Sequence, residues 1–341
     1  MDPLALLREF TALPGPPGQE DAVREALAKH VQALGMEPET DAKGNLLVRL
    51  GTGNPRVVVT AHLDEIAMIV RQVEPSGSLV VAPLGGLQPW KLGEGPVSIL
   101  ASKGPLDGVL SFGSMHTNDP ASTARQADNT AVTWRMARVR TGRGAEELAS
   151  LGVRPGTRVV VHPSRRGITS IGELVAGYFL DDRADLVAWL LALADLKDSE
   201  GVLFAATVSE EVGGEGAKYL LHGLRPDVCI ALELGPNAVD APVMVNDQPT
   251  VWANDGYAAM SPADGDLVAA LGEALGLHLQ FQALSRGGSD ASCAAAEGLC
   301  ARPITLGLPM DNTHGYEIMH PGAMANLARL TSGLVRRVAK S

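Results

Sequence analysis

The chain has 341 residues, and 28 Lys and Arg against 39 Asp and Glu leave a formal charge of −11 with histidine neutral. That balance argues against a non-specific binder of nucleic acid or of an anionic membrane, because phosphate contact needs a surplus of surface Lys and Arg. A hydrophobic fraction of 45 % and a charged fraction of 20 % exclude global disorder, and the length allows one large domain or two smaller ones.

Leu4, Leu6, Leu7 and Phe10 fall at helical spacing and predict a first helix that stops at the PGPPG run of residues 14–18. Val23, Ala26, Leu27, Val31 and Leu34 predict a second, closed by Gly35. Strands are expected over 45–50 and 56–61; the run Val57, Val58, Val59 has no polar alternation, as in a strand buried on both faces of an α/β sheet. From about residue 68 to 167 the texture changes. Short β-prone pieces at 78–82, 97–101, 108–112 and 158–162, separated by glycine and proline, predict a small all-β unit inserted into an α/β chain. Within it, residues 114–130 are polar and predict an exposed loop or lid.

After Gly167 the alternation of helix and strand resumes. An apolar helix is expected over 183–196, a strand over 202–208 running into Ser209, Glu210 and Glu211, and a strand over 228–232 ending at Glu233. Helices near 267–275 and over 290–297, a strand over 302–306 and a final helix over 322–338 complete the pattern. The predicted division is therefore a split α/β unit, residues 1–67 and 168–341, around a β-rich insertion of residues 68–167. Three cysteines without a CxxC pair indicate neither a disulfide framework nor a thiolate zinc site. The opening MDPLALLREF lacks the basic and apolar regions of a signal peptide, and no apolar run reaches the roughly 18 residues of a membrane span, so a cytoplasmic protein is expected.

Four predicted strands end in polar residues: His62, Glu210, Glu233 and the segment around Asn312. In open α/β sheets the ligand site lies beyond the carboxyl ends of the strands, so this pattern localises the chemistry. In Ala61-His62-Leu63-Asp64 a strand-end histidine can present one ring nitrogen to a metal while Asp64, two residues on, orients it. Alone, such a histidine is more often structural than a ligand. Asp181-Asp182 precedes the apolar helix; the pair can cap it, or one carboxylate can bridge two divalent ions, with Asp181 the better bridge and Asp182 the better cap. Glu210 and Glu211 end an apolar strand, where successive residues point in opposite directions, so one can bind metal while the other serves as a general base; the alternative is a solvated acidic loop. Glu233 ends another buried-strand pattern, an expensive place for an unpaired carboxylate. His314 supplies a late histidine, with His320 as the rival ligand. Two histidines and several carboxylates at separate strand ends suit Zn²⁺, Co²⁺ or Mn²⁺, and two such ions can activate a water and polarise a carbonyl. The zincin motif HExxH, the nucleophile elbow GxSxG and the phosphate loop GxxxxGK[ST] are all absent.

In order, AHLDE, FLDDR, SEEVGGEGA, LEL and THGYE resemble the M42 family of metallopeptidases, the glutamyl and TET aminopeptidase group, as do LLREFTALPGPPGQEDAVRE, PLDGVL, ELASLGVRPGTRVVV and RGGSDA. The resemblance implies an α/β catalytic domain with a central mixed sheet, interrupted by a β-rich dimerisation domain, in a homo-oligomer built from dimers and often of twelve subunits. It implies that His62 and Glu233 hold one divalent metal, that Glu211 and His314 hold a second, and that Asp181 bridges them. Asp64 would orient His62, and Glu210 would be the general base for attack of a metal-bound water on a peptide carbonyl. The family usually has aspartate at the position of Glu233, and a serine commonly follows the late histidine where this chain has Gly315. In related dizinc peptidases a glutamate at the former position resembles enzymes acting on acylated amines or C-terminal residues. The expected function is thus an aminopeptidase acting on short peptides, with an N-acyl or C-terminal amide hydrolase as the second reading. A glycoside hydrolase using the Glu210 and Glu211 pair, and a non-catalytic assembly protein, are the readings from other classes.

Overall fold

The structure, a computed structural model, describes residues 1–339. Three strands open the chain after two helices: β1 (Glu39–Thr40), β2 (Leu46–Leu50) and β3 (Val57–His62). All six positions of β3 are buried, as its unbroken apolar run demands, because only a strand covered on both faces can hide every side chain. The chain then leaves the sheet. β4 (Ala67–Val73), β5 (Leu79–Leu84), β6 (Gly95–Ala101), β7 (Gly104–Ser111), β8 (Arg138–Arg140) and β9 (Arg158–Val161) close into a barrel in the order β4-β5-β8-β7-β6-β9. Met68, Val70, Leu79, Val81, Val97, Ile99, Leu110, Val139 and Val159 fill it. The polar segment expected as a loop is largely exposed and carries one short helix, Thr123–Gln126.

The remaining strands are β10 (Thr169–Ile171), β11 (Leu174–Tyr178), β12 (Val202–Thr207), β13 (Val228–Pro236), β14 (Thr250–Asn254), β15 (Gln280–Ala283), β16 (Arg302–Asp311) and β17 (Tyr316–Met319). With β1 to β3 they form one mixed sheet in the order β1-β2-β12-β3-β13-β16-β17-β11-β10, with β14 joined to β16 and β15 to β14. The centre, β12-β3-β13-β16, is parallel, so all four carboxyl ends point to one edge. On one face pack the helices Pro3–Ala12, Asp21–Ala33, Leu180–Asp195 and Ala323–Val338; on the other lie Glu215–Leu224 and Asp290–Ala296. Leu180–Asp195 is nearly apolar throughout and is sandwiched between the sheet and the C-terminal helix, with Trp189 fully buried against Phe204 in a T-shaped contact. Among the described residues, no helix is long and apolar enough to cross a membrane.

The expected strand over 228–232 continues to Pro236, so Glu233 stands inside a strand and not at its end. The reason is lateral pairing. β3 pairs with β13 only as far as Ala231, whereas β16 follows it to the Pro236–Met310 pair. Glu233 therefore lies just beyond the point where the pairing with β3 ends, level with His62, and its edge of the strand is open to a side-chain cluster.

Candidate metal centre

The end of β3 delivers His62, and the chain continues extended so that Asp64 returns to the same side. Asp181 and Asp182 sit at the entry to the helix Leu180–Asp195, after Phe179 in a left-handed conformation (φ 63°). Glu210 and Glu211 follow the end of β12 by three and four residues, past a left-handed Ser209 (φ 56°). His314, also left-handed (φ 58°), lies in the turn between β16 and β17.

His62 is buried, and its Nδ1 is 3.1 Å from the Asp64 carbonyl and 3.4 Å from Asp64 Oδ1. A carbonyl can only accept, so Nδ1 carries a proton and the second ring nitrogen, Nε2, is the one left to bind. Nε2 is 3.2 Å from Asp181 Oδ1. The other Asp181 oxygen, Oδ2, is 3.4 Å from His314 Nε2, which in turn is 3.8 Å from Glu211 Oε1. Asp181 thus addresses one histidine with each oxygen. Two ligand groups result: His62, Asp181, Asp182 and Glu233, and Asp181, Glu211 and His314, the atoms of each lying within 4.8 Å of one another. They share Asp181.

Asp182 does not cap its helix. One of its oxygens accepts the His62 amide at 2.6 Å, and its carboxyl stands within hydrogen-bond reach of the buried Asp185, while no N–H donor reaches Oδ1. Asp64 belongs to neither ligand group, because its two oxygens accept the amides of Glu210 at 2.9 Å and Glu211 at 3.1 Å. It positions three residues: the ring of His62 and the backbone of both glutamates. Glu210 also stands outside both groups. His320 is not brought to the site; its Nδ1 accepts the Gly322 amide.

Electrostatically the cluster is a set of acids short of counter-charge. Burial pushes Glu233 well above its ordinary value, and the nearby Glu210, Asp182 and Asp181 push it further while His62 opposes. Glu210 is raised well above the ordinary range by burial, then by Asp290 and Glu211. Burial and neighbouring acids raise Asp182 and Glu211 to about 7. His314 is raised to about 10, first by Glu211, and His62 is held well above its ordinary value by Asp182, Asp181 and Asp64 against the opposing effect of burial. Carboxylates this close resist ionising together unless cations stand between them. A buried His62 Nε2 facing the Asp181 carboxylate, and a buried Asp182 oxygen that no N–H donor reaches, are features of side chains arranged around a cation. The donor set of imidazole nitrogen and carboxylate oxygen fits divalent cations such as Zn²⁺, Co²⁺ or Mn²⁺.

The groups floor a cleft of about 480 Å³ whose walls include Glu210, Leu234, Trp252, Tyr257, Leu284 and Arg286. Several residues here escaped the sequence reading. Glu317 is buried, accepts the Asp181 amide with Oε2 at 3.0 Å and the His314 amide with Oε1 at 2.9 Å, and so ties ligands of both groups together. The three-residue spacing from His314 within THGYE was its signal. Asp290 of RGGSDA accepts the Thr207 hydroxyl at 2.6 Å beneath the glutamates. Cys293 lines the cleft, its thiol pushed up to about 12 chiefly by burial.

The sequence model of the family described as M42 glutamyl aminopeptidase matches residues 44–330. A lysyl aminopeptidase of Pyrococcus furiosus is 28 % identical over 67 % of this chain and 65 % of its own length. A glutamyl aminopeptidase of Lactococcus lactis is 27 % identical over 67 % of this chain and 66 % of its own. The matches thus span just under two thirds of these two relatives. Among solved structures, the TET1 peptidase of Pyrococcus horikoshii, described as assembling into a tetrahedron or a large octahedral shell, superposes with a TM-score of 0.84 at 29 % identity over 97 % of this chain and 98 % of that one. A PhTET1 dodecamer gives a TM-score of 0.86 at 28 % identity over 98 % of this chain and 99 % of the other.

Proposed function

Because the chain belongs to the M42 glutamyl aminopeptidase family, we propose that it is a divalent-metal aminopeptidase that releases N-terminal residues from short peptides. The observation that carries this reading is the pair of ligand groups joined through Asp181 on the floor of the cleft. His62, Asp182 and Glu233 would complete the first metal's ligands, and Glu211 and His314 the second's. Two divalent ions held there would supply Lewis acidity toward a carbonyl and lower the pKa of an attacking water.

The chain's own residues do the rest. Glu210 lines the cleft outside both groups and is the general base, taking a proton on its carboxylate and returning it to the leaving amine. Burial and the neighbouring acids raise its pKa, which suits a group that holds a proton before returning it. Asp64 holds the backbone of Glu210 and Glu211 in place, so base and ligand are fixed relative to each other. The acidic floor favours a substrate ammonium, and Leu234, Trp252 and Leu284 give apolar walls for a side chain.

A second reading, cleavage of N-acyl or C-terminal amides, follows from Glu233 in place of the family's usual aspartate. One comparison separates the two. A peptide with a free amine is expected to be hydrolysed, and its N-acetylated twin not, in the presence of Zn²⁺, Co²⁺ or Mn²⁺; hydrolysis that survives exhaustive chelation sinks the metal reading, and preference for the acetylated peptide sinks the aminopeptidase. We further propose a cytoplasmic homo-oligomer built from dimers, up to twelve subunits in all, in which the insertion 68–167 of the split catalytic unit 1–67 and 168–341 makes the dimer contact. The assemblies described for the TET1 structures support this. Sedimentation should give an even multiple of the 35.6 kDa chain, and a monomer at micromolar concentration overturns it.

A further inference from the structure

The barrel reaches the proposed metal centre through one stretch, the turn after β5 that leads into the short helix Pro89–Leu92. At Gly86 an added Cβ would stand 2.6 Å from Cε1 of the His314 ring, and at Gly85 one would meet Glu211 Cβ at 3.1 Å and Oε2 at 3.2 Å. These two glycines form a floor directly under two ligands of the second group. Gly86 lies outside the positive-φ set, so what a side chain would meet there is the imidazole and not an awkward backbone angle.

The loop that carries His314 is held in part from within, Asn312 Nδ2 donating to the Tyr316 carbonyl at 2.9 Å and the His314 amide to Glu317 Oε1 at 2.9 Å, but these bonds all come from residues 311–317 themselves. Asn312 and His314 both stand in the left-handed region, at φ 55° and 58°, where L residues with side chains need support from neighbours. Lys91 provides it from the barrel. Its Nζ donates to Asn312 Oδ1 at 2.8 Å and to the Thr313 carbonyl at 2.9 Å, and its stem packs beside Gly315. No carboxylate lies within 4.0 Å of that ammonium among the described residues, so Lys91 contributes geometry to the loop and is not a counter-ion to an acid.

We propose that Lys91 is a positioning residue for the second metal: from the barrel it fixes the 312–314 turn so that His314 Nε2 meets the shared Asp181 and Glu211, with Gly86 as the floor beneath the ring. This rests on the metal reading above. The barrel is then part of the catalytic apparatus as well as of any assembly. Ligand-orienting partners of this kind are worth about 10- to 100-fold in metal affinity or activity.

The test is equilibrium dialysis of the full-length chain against Co²⁺ with elemental analysis, for wild type, Lys91→Met, Lys91→Arg and Gly86→Ala, alongside kcat and KM on an aminoacyl anilide. Lys91→Met keeps the stem and loses both hydrogen bonds. It should weaken the second equivalent of metal by about tenfold or more, leave the first within about twofold, and lower kcat about tenfold with KM nearly unchanged. Lys91→Arg should recover part of the loss, and Gly86→Ala should reproduce it from the opposite side by displacing the ring. Unfolding in chelator should be alike for all four, which separates a displaced ligand from a damaged fold. Two equivalents bound with wild-type affinity by both Lys91→Met and Gly86→Ala overturn the inference alone; a wild-type chain that takes up no metal overturns it together with the metal reading.

Discussion

Asp64 and Glu65 are neighbours in the chain and both are fully buried, yet they belong to opposite kinds of acid cluster. Glu65 turns to the core side and meets two buried guanidinium groups: Arg166 engages both of its oxygens, and Arg183 Nη2 donates to Oε2 at 2.9 Å. Arg166 also donates to the carbonyls of Val161, Thr11 and Leu13, and Arg183 to those of Leu63 and Asp64. Charge and hydrogen bonds are supplied from within the protein. Asp64 turns the other way, toward Glu210 and Glu211, into a cluster where Asp181, Asp182, Glu211 and Glu233 face two histidines. In one cluster two guanidinium groups match the buried acid, with only Arg183 Nε left without a partner. In the other the acids outnumber the histidines, which is the difference between an ion pair that holds a structure and a donor set suited to cations.

The sharpest way to probe the open cluster is through the acid that is in it but not of it. On the proposed role, Glu210→Gln should lower kcat about 10²- to 10⁴-fold, the range for loss of a general base, while both equivalents of metal remain bound. Steady-state rates on an aminoacyl anilide, paired with elemental analysis of the same sample, read both quantities. Loss of metal together with rate would move Glu210 into the ligand set and blur the comparison.

The closed cluster should respond in stability. Glu65→Gln leaves Arg166 and Arg183 buried against a neutral amide, a change of the class that costs about 3–5 kcal/mol. The loss should be the same with metal or with chelator, because the pair is finished without an ion. Glu233→Gln should behave the other way. In chelator it removes one of several mutually repelling buried acids and should leave the urea midpoint unchanged or higher, whereas saturating metal, worth about 2.7 kcal/mol to the wild type at a hundredfold excess over Kd, should stabilise the variant less. Equal losses for both substitutions in chelator would erase the distinction between the clusters.

Much of this was legible in the sequence where a side chain's job follows from its place in a strand. The unbroken Val57-Val58-Val59 run marks a doubly covered strand, and His62 at its end is the residue the sheet presents to the cleft. Glycine and proline spacing marked the β-rich stretch, and the structure closes its strands into a barrel. The late strands were less visible: β14 and β15 lie in stretches whose sequence alternates weakly, and β14 finds its partner in β16 while β15 in turn pairs with β14. Glu65 carried no signal of its own, and Glu317 only its three-residue spacing from His314. An acid beside a motif looks the same whether it meets arginines from residues 101 and 118 positions away or the amide of Asp181, 136 positions away, and only the fold brings those partners in. For Asp182 the sequence suggested a helix cap by adjacency, but the nearest needy donor in space is the His62 amide.

A third acid sets the lower end of the scale. Asp264, at the start of the helix Pro262–Leu275, accepts from Ser261 Oγ at 2.8 Å and from Arg302 Nε at 3.2 Å, with Arg302 part-exposed at 38 %. Burial alone would raise its carboxyl, but the bonds to Arg302 and Ser261 outweigh that and hold it below the ordinary value. A carboxylate depressed in the folded state adds stability that is fully present above its unfolded pKa, about 3.9, and is lost as pH falls through the folded value. The gap in urea midpoint between wild type and Arg302→Met should therefore be constant from pH 7 down to about 5 and close below about 4, and because the arginine is half in water the gap itself should be about 1 kcal/mol or less. A gap that widens on acidification would mean that Arg302 supports the helix by packing and not by charge, and the graded series of two arginines on Glu65, one on Asp264 and none on the cleft acids would lose its middle term.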